Sequence, residues 1–483
     1  IRRPPRSTQS RSSAASDVYK RQMKYISTRG NAPILSFEDA MLTGLARDGG
    51  LYVPETIPQM SHSDIAAMAG LPYEEIAFRV MQPFMGDSFS ENELMDAISK
   101  AYAGFSHDAR APLVQLGPNH HLLELFHGPT LAFKDFAMQL IGQLFQKALG
   151  RRGEKVTIVG ATSGDTGSAA IEAFRGLNSA NVFILFPNGR VSDVQRRQMT
   201  TPVEPNVHAI AMEGTFDTCQ AMLKDMFNDF GFRDGVKLAG VNSINWARVL
   251  AQVVYYFSSA TALGAPHRKV SFTVPTGNFG DIFAGYIAKR MGLPIDRLVI
   301  ATNRNDILHR AISTGRYDMD TVFPTITPSM DIQISSNFER ALFDAYDRNG
   351  GAVTQLMGEM KQGGFGISQS ALEGLRKHFD SGSSAEDTTS ATIKAMFEST
   401  GELLCPHSAV GVKVAHDHMG ASPMITLATA HPAKFPDAVE AAMGLRPVLP
   451  DWISDLFDRP ERLTEMPNDL QKMKSLIRER ITL

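Results

Sequence analysis

A single lysine stands between phenylalanines at the start of an apolar segment. Lys134 follows a Gly-Pro turn in the stretch "HGPTLAFKDFAMQ". The segment 133–149 has apolar residues at three- and four-residue spacing, which predicts a helix. A lysine at a helix start can extend its charged end into solvent, or its amine can form a Schiff base with an aldehyde cofactor. The spacing by itself leaves both interpretations open.

Two glycine-rich turns each lie between a predicted strand and a predicted helix. The first is GATSGDTG at 160–167 and the second is TGNFGD at 276–281. Glycine lets backbone N–H groups approach an anion, and a helix N-terminus adds the positive end of its dipole. Neither turn has the P-loop or the dinucleotide pattern. Either turn alone can be purely structural, but two in one chain indicate two anionic groups, such as a cofactor phosphate and a charged substrate.

Other motifs give weaker signals. The sequences Cys405-Pro406-His407 and His416-Asp417-His418 do not match a strong zinc-ligand spacing, so no metal site is predicted. A hydrolase triad has no anchor because the chain contains no G-x-S-x-G motif.

The segments that must position these residues alternate between β-rich and helical runs. Predicted strands cover 121–126, 155–160, 181–187, 206–213, 269–275, 296–303 and 422–429. Repeated strand–loop–helix units predict an α/β protein with parallel sheets flanked by helices. Ligands in such proteins bind at the carboxyl ends of the strands, where both glycine-rich turns lie.

The chain divides into regions of different pattern. Residues 23–115 have no comparable strand series and predict a smaller, largely helical N-terminal region. The α/β catalytic region is assigned to 116–340, and its C-terminal part and tail to 401–483. Residues 341–400 are helical in pattern and polar, and predict a helical insertion.

The first 22 residues differ from the rest of the chain. They are rich in Arg and Ser, poor in acidic residues, and without a core pattern. A transit peptide is one interpretation, although Pro4-Pro5 interrupts an amphipathic helix there. We expect residues 1–22 to be a non-native or disordered leader outside the fold.

The overall composition is ordinary for a soluble globular protein. The net charge of −3 does not predict nucleic acid as a partner. No uninterrupted apolar run approaches the ~20 residues that a membrane span requires. Only two cysteines are present, Cys219 and Cys405, which argues against a disulfide scaffold and favours a cytoplasmic location.

Taken together, the motifs resemble those of the threonine synthase family, pyridoxal-phosphate enzymes of fold type II in the tryptophan synthase β-like group. The resemblance extends from Met23 to about Glu440 and keeps the order of the family's motifs. The segments that support it are SFEDAMLTGLARDGGLYVPETIP (36–58), HGPTLAFKDFAMQ, GATSGDTGSAA, NSINWAR (242–248), PTGNFGD and TAHPAKFPD (429–437). The helical insertion is similar to that of the bacterial and fungal class.

The resemblance implies pyridoxal 5'-phosphate as the cofactor, bonded through its aldehyde to Lys134. Thr429 is implied as the partner of the pyridine nitrogen. A neutral hydroxyl can hydrogen-bond that nitrogen without enforcing its protonation. The residues implied to hold the cofactor phosphate with backbone N–H groups are Gly277, Asn278, Phe279 and Gly280.

The resemblance further implies that the substrate is O-phospho-L-homoserine, converted with water to L-threonine and phosphate. Arg248 offers a permanent charge and a planar fork that matches the substrate phosphate. The residues implied to bind substrate are Thr162, Ser163, Asp165, Thr166, Asn245 and Arg248.

Two alternatives remain at this point. A related phospho-lyase shares most of these motifs and releases a keto acid from the same substrate. A non-catalytic scaffold is the other alternative, and the presence of Lys134 argues against it. The sequence leaves both a monomer and a homodimer open.

Overall fold

The computed structural model describes residues 23–481. The proposed leader at 1–22 lies outside the described residues. Within the described part of the chain, no helix is long and apolar enough to cross a membrane.

The N-terminal region is mainly helical. Ser36, Ser61 and Ser90 each accept a hydrogen bond from the backbone N–H three residues later, and each thereby caps a helix. The two strands of the region form an antiparallel pair. Its elements are β1 (Tyr25–Ser27), α1 (Phe37–Thr43), β2 (Tyr52–Pro54), α2 (His62–Ala66), α3 (Tyr73–Met85) and α4 (Glu91–Tyr102).

The next part of the chain alternates between strands and helices, as the sequence pattern predicts. Its first elements are β3 (Leu113–Gly117), β4 (His120–Glu124), α5 (Lys134–Arg152), β5 (Val156–Ala161), α6 (Asp165–Phe174), β6 (Ala180–Pro187), α7 (Asp193–Thr200), β7 (Val207–Met212), α8 (Phe216–Asn228), α9 (Phe230–Gly235) and β8 (Leu238–Ala239). They continue with α10 (Trp246–Ala262), β9 (Val270–Pro275), α11 (Gly280–Arg290), β10 (Ile295–Thr302) and α12 (Ile307–Thr314).

The remaining elements include further short strands. They are β11 (Arg316–Asp318), α13 (Phe338–Ala345), α14 (Gly350–Met360), β12 (Gly364–Gly366), α15 (Gln369–Arg376), β13 (Phe379–Ser383), α16 (Glu386–Thr400), α17 (Pro406–Asp417), β14 (Met424–Ala428), α18 (Pro436–Met443), β15 (Thr464–Met466) and α19 (Leu470–Arg480). Short 3₁₀ helices cover Pro328–Met330, Pro432–Lys434 and Asp451–Phe457.

Two parallel sheets organise these elements. The larger has the strand order β13-β10-β9-β14-β4-β3, and its β3–β4 pair is antiparallel. The smaller has the order β15-β7-β6-β5-β8 with parallel pairs. Every residue of β6 and β9 is buried, as expected for parallel strands covered on both faces. The predicted fold class, an α/β protein of fold type II, is confirmed.

The sequence prediction missed two strands within residues 341–400, the short β12 and β13. β13 pairs in parallel with β10, from Leu298 opposite Phe379 to Thr302 opposite Ser383, and so extends the larger sheet. Its sequence, FDSGS, has too few apolar residues to indicate a strand. The neighbouring strand provides the hydrogen bonds, so tertiary context overrides local propensity here.

The main hydrophobic core joins the N-terminal region to the catalytic region. Trp246 of α10 packs against Tyr25 and Phe84, with ring centroids 6.0 and 6.1 Å away. At the last turn of α5, Arg151 and Arg152 form ion pairs with acidic residues of the N-terminal region, Glu38, Asp39 and Glu93. Both helices are therefore held in place by this region.

Candidate active site

A cavity lies where loops from the two sheets meet. Lys134 follows β4, the 276–281 turn follows β9 and Thr429 follows β14, all in the larger sheet. Asp165 follows β5 of the smaller sheet. The cavity brings together most of the predicted site residues: Lys134, Asp165, Thr166, Arg248, Gly277, Asn278, Phe279, Gly280 and Thr429.

Lys134 is fixed next to Thr429 by the backbone. The N–H of Phe133 donates to the carbonyl of Thr429 at 2.9 Å. Ala132 and Ala430 form an isolated antiparallel bridge beside this bond. The hydroxyl of Thr429 has no hydrogen-bond partner among residues 23–481, while its N–H donates to Ser408 Oγ at 3.1 Å. The Thr429 hydroxyl is thus available to a ligand in the cavity.

The turn that precedes Lys134 depends on a buried carboxylate. Asp135 accepts hydrogen bonds from the N–H of Thr130 at 2.8 Å and from its hydroxyl at 2.7 Å. A Cβ atom at Gly128 would lie 2.5 Å from the Cβ of Asp135, so only glycine fits there. Burial raises the pKa of Asp135 to about 6. These contacts explain why the motif has glycine before the turn and aspartate after the lysine.

The amine of Lys134 lies in a compact ionic cluster. Its Nζ donates to Asp165 Oδ2 at 2.9 Å. Asp165 also accepts from Ser329 Oγ at 3.3 Å, from Gln195 Nε2 at 2.8 Å, and pairs with Lys434 Nζ at 3.1 Å. The carboxylate is therefore surrounded on both oxygens by residues of this chain.

Two pKa shifts follow from this cluster. Burial lowers the pKa of Lys134, although Asp165 opposes the shift. Burial alone would raise the pKa of Asp165, but the charges of Lys134 and Lys434 outweigh it and hold that pKa well below its usual range. The site thus combines a permanent carboxylate with an amine that loses its proton more readily than usual.

The turn at Gly277–Gly280 forms an open nest of backbone donors. None of its four N–H groups has an acceptor within the described chain. Phe279 has φ = 63°, in the left-handed region, and directly precedes the N-terminus of α11. A Cβ atom at Gly277 would lie 2.7 Å from the carbonyl oxygen of Ser329. Unpaired donors at a helix N-terminus fit a phosphate group.

Arg248 is a buried cation without a carboxylate partner among residues 23–481. Its side chain lines the cavity and is 3% exposed. Nη1 donates to the carbonyl of Val241 at 3.2 Å, and Nε has no hydrogen-bond partner in the described part of the chain. Burial lowers the pKa of Arg248 to about 10. A buried charge is costly unless an opposite charge compensates it, so this position favours an anionic ligand.

A buried carboxyl lies directly after the nest. Asp281 Oδ1 accepts hydrogen bonds from the hydroxyls of Tyr255 at 2.5 Å and Tyr256 at 3.1 Å. Its Oδ2 is buried and has no partner among the described residues. Burial raises the pKa of Asp281 to about 7, against the opposing effect of these tyrosines. This carboxyl is far less acidic than Asp165 in the same cavity.

Three predicted substrate residues do not line the cavity. Thr162 is buried, and its Oγ1 accepts from the N–H groups of Gly164 and Gly167, both at 2.9 Å, so it shapes the loop. Ser163 is half-buried in the same loop. Asn245 caps α10 through the N–H of Ala247 at 3.0 Å and donates to the carbonyl of Met41 at 2.8 Å. These contacts give Thr162 and Asn245 roles in the fold.

Sequence reasoning missed several residues at the site. Gln252 lies one helical turn after Arg248 on α10, and that spacing indicates a shared face. His407 belongs to a sequence that was considered only as a metal motif, and its Nε2 accepts from the N–H of Ser329 at 3.3 Å. The other missed residues are Gln195, Ser329, Asp281 and Lys434, which had no local signal beyond their positions near recognised motifs.

Comparison with known proteins extends this description. Three family models match: threonine synthase N terminus at 24–102, pyridoxal-phosphate dependent enzyme at 109–424, and threonine synthase C-terminal at 408–477. The threonine synthase of Pseudomonas aeruginosa is 55% identical over 459 residues, which cover 94% of this chain and 98% of that protein.

Solved structures agree with these matches. The crystal structure of pyridoxal-phosphate-bound threonine synthase from Brucella melitensis has a TM-score of 0.93 and 57% identity, covering 95% of this chain and 99% of that one. Threonine synthase from yeast has a TM-score of 0.90 and 42% identity, covering 95% and 98%. The chain therefore belongs to the threonine synthase family of pyridoxal-phosphate-dependent enzymes.

Proposed function

We propose that this enzyme converts O-phospho-L-homoserine and water to L-threonine and phosphate. The observation that best supports the proposal is the presence of two separate anion receptors in one cavity with Lys134. One is the nest at Gly277–Gly280 and the other is the buried guanidinium of Arg248. A cofactor phosphate and a substrate phosphate would occupy one receptor each.

The nest, Lys134 and Thr429 suit pyridoxal phosphate. We assign the unpaired N–H groups of the nest to the cofactor phosphate, the amine of Lys134 to the aldehyde carbon, and the free hydroxyl of Thr429 to the pyridine nitrogen. When bound, the cofactor supplies a sink for the electron pair left at the substrate α-carbon.

Lys134 is proposed to move the protons. Burial favours its neutral form, which is the form that can accept a proton. Its amine removes the proton from the substrate α-carbon and then one from the β-carbon. Asp165 accepts a hydrogen bond from this amine and fixes where it points. We therefore assign Asp165 as the partner of Lys134, while Thr166 is the residue of that loop left to contact substrate.

Arg248 is proposed to bind the substrate phosphate. The C–O bond between the γ-carbon and the phosphate breaks, and phosphate leaves with the bonding electrons. A proton is added at the γ-carbon, and the hydroxyl of water forms a new C–O bond at the β-carbon. The two protons removed from the α- and β-carbons balance the two added at the α- and γ-carbons. The remaining proton of water goes to the departing phosphate, which is released as hydrogen phosphate. A fixed guanidinium stabilises the charge that grows on the departing phosphate.

Product identification tests this proposal. Holoenzyme incubated with O-phospho-L-homoserine should yield threonine and inorganic phosphate in equal amounts by proton and phosphorus NMR. The Lys134→Ala variant is the matched control and should yield neither. Release of a keto acid with phosphate would instead identify a phospho-lyase, and the absence of any product would contradict the assignment of the substrate.

A cytoplasmic location is also proposed. Cys219 and Cys405 are both buried free thiols, which suits a reducing compartment. Cell fractionation with antibody detection should find the enzyme with cytoplasmic markers, and recovery from an oxidising compartment would contradict the proposal.

A further inference from the structure

Lys434 is a second buried lysine in the ionic cluster. It lies in the 3₁₀ turn Pro432–Lys434 and is 0% exposed. Its Nζ donates to the carbonyl of Thr130 at 2.6 Å and to Ser168 Oγ at 3.4 Å, and it pairs with Asp165 Oδ1 at 3.1 Å. Asp165 is the one carboxylate within ion-pair distance in the described part of the chain.

Stability does not explain a lysine in this position. Taking an ammonium group out of water costs several kcal/mol, and a buried ion pair often contributes no more than an apolar pair of the same volume. Apolar residues in place of both Lys434 and Asp165 would fill the same space without that cost. The burial of Lys434 therefore indicates that its positive charge is required at this place.

Asp165 is shared between the two lysines. Oδ2 faces Lys134 and Ser329, whereas Oδ1 faces Lys434 and Gln195. When the amine of Lys134 is uncharged or bonded to another atom, Lys434 is the remaining lysine that neutralises the carboxylate. Without it, Asp165 would become a buried, uncompensated charge and would bind a proton or turn away.

We propose that Lys434 is a positioning residue: its positive charge compensates Asp165 while the Lys134 amine is uncharged, so that the carboxylate stays aligned with the amine without drawing a proton onto it. The proposal rests on the role assigned to Lys134 above, but it does not depend on which product the enzyme forms.

Among residues 23–481, Lys134 and Lys434 are the titratable groups that form an ion pair with Asp165. His407 on α17 is neutral because burial lowers its pKa to about 4. Asp281 on α11 is only weakly acidic, and Asp135 on α5 is occupied by Thr130. Arg248 on α10 contributes a second positive charge that disfavours protonation of Lys134. Around the Lys134 amine, the positive charges of Lys434 and Arg248 therefore act against the negative charge of Asp165.

Removal of Lys434 should make Lys134 easier to protonate. In Lys434→Met, we expect the midpoint for protonation of the Lys134 amine to rise by about one pH unit or more, as is typical when a nearby charge is removed. The midpoint is measured in cofactor-free enzyme by competitive acetylation over a pH series, with peptide mass spectrometry of Lys134. In holoenzyme, the acid limb of kcat should move to higher pH by a similar amount.

Two further variants separate charge from structure. Lys434→Gln can still donate to the carbonyl of Thr130 but has no charge, and it should show the same shift even if Lys434→Met does not fold. Lys474→Met is the matched control, because Lys474 is a 5% exposed lysine paired with Asp229 at 2.6 Å, on α19 and outside the cavity lining. It should leave the Lys134 midpoint unchanged.

If Lys434→Met or Lys434→Gln lowers the melting temperature while the Lys134 midpoint and the acid limb of kcat stay at their wild-type pH, Lys434 is structural and the proposal is wrong. Because the acetylation experiment contains no substrate, a wrong substrate assignment would leave its result unaffected.

Discussion

The two anion receptors of the cavity are built in opposite ways. The nest at Gly277–Gly280 has neutral backbone donors at a helix N-terminus, and its shape depends on the absence of a Cβ atom at its two glycines. The second receptor is one guanidinium, Arg248, which is buried and has no carboxylate partner in the part of the chain that the structure describes. The nest carries no desolvated charge when empty, whereas the empty Arg248 site does.

This difference suits the two ligands that we assign. A cofactor stays bound through many turnovers, so its receptor can be a rigid, neutral part of the backbone. A substrate phosphate enters and a free phosphate leaves in every cycle, and a single charged side chain strengthens its contact as negative charge develops. The comparison predicts that cofactor binding and substrate binding can be damaged separately.

Lys134→Ala should have the largest effect, because we assign Lys134 both the covalent bond to the cofactor and the proton transfers of the substrate. Loss of a general base lowers the rate of the chemical step by up to about 10⁴-fold. We expect kcat to fall by about that factor. Both receptors remain, however, and the variant should still bind pyridoxal phosphate without a covalent bond. Borohydride reduction with peptide mapping should label Lys134 in the wild type and no lysine in the variant. Labelling of another lysine in the wild type would remove the assignment.

Gly277→Ala should damage the nest alone. Its Cβ would lie 2.7 Å from the carbonyl of Ser329, so the loop must shift and its donors lose their alignment. Loss of one or two charge-assisted hydrogen bonds, each about 1.5–3 kcal/mol, predicts a roughly 100-fold weaker cofactor Kd. Equilibrium dialysis measures this Kd.

Gly280→Ala provides a graded control for the same receptor. Its Cβ would meet Asn337 Nδ2 at 3.3 Å, a milder contact with a side chain that can move, so the loss in cofactor affinity should be smaller. At saturating cofactor, the substrate KM of both glycine variants should match the wild type. A raised KM at saturating cofactor would show that the two receptors are not separate.

Arg248→Met should damage the other receptor and stabilise the cofactor-free protein. Loss of the charge-assisted contact predicts a substrate KM raised by roughly 10- to 100-fold, with the cofactor spectrum unchanged. Removal of a buried, unpaired cation should also raise the melting temperature of the cofactor-free enzyme, measured by calorimetry. Arg248→Lys should recover only part of the affinity, since an ammonium lacks the planar fork. Loss of cofactor in these variants would mean that the two phosphate sites are assigned the wrong way round.

The last prediction concerns Asp281, next to the nest, and it affects the stability of the fold and neither receptor directly. Its pKa is near 4 in the unfolded chain and about 7 in the folded one, so the folded state binds more protons between these values. The contribution of Asp281 to stability is therefore complete below pH 4 and decreases toward pH 7, by about 1.4 kcal/mol per pH unit. Urea unfolding should show this slope in the cofactor-free wild type and a flatter profile in Asp281→Asn. Equal slopes would show that Asp281 ionises normally.

Much of this site could be predicted from sequence because its parts are local. Lys134, the nest and the Asp165 loop each follow a strand within ten residues and have glycines with a steric purpose. Arg248 likewise belongs to a recognised motif, NSINWAR. The fold class followed from the alternation of elements.

The remaining parts depend on contacts between distant segments. Asp165 and Lys434 are 269 residues apart in sequence and meet only in the folded chain. β13 is a strand because β10 lies beside it. The resemblance implies that Asn245 binds substrate, and in the folded chain its amide also donates to the carbonyl of Met41, more than 200 residues earlier in the sequence. Local pattern cannot reveal such pairings, since each side chain has many possible partners before the fold is known.

Helix α5 links the cavity to a distant part of the molecule. Its 19 residues span about 28 Å, with Lys134 at one end and the ion pairs of Arg151 and Arg152 at the other. The N-terminal region that holds the far end contributes no residue to the cavity among those the structure describes. That region therefore fixes the position of the helix that carries Lys134. We expect the appearance of cofactor absorbance during refolding to report when the N-terminal region has docked.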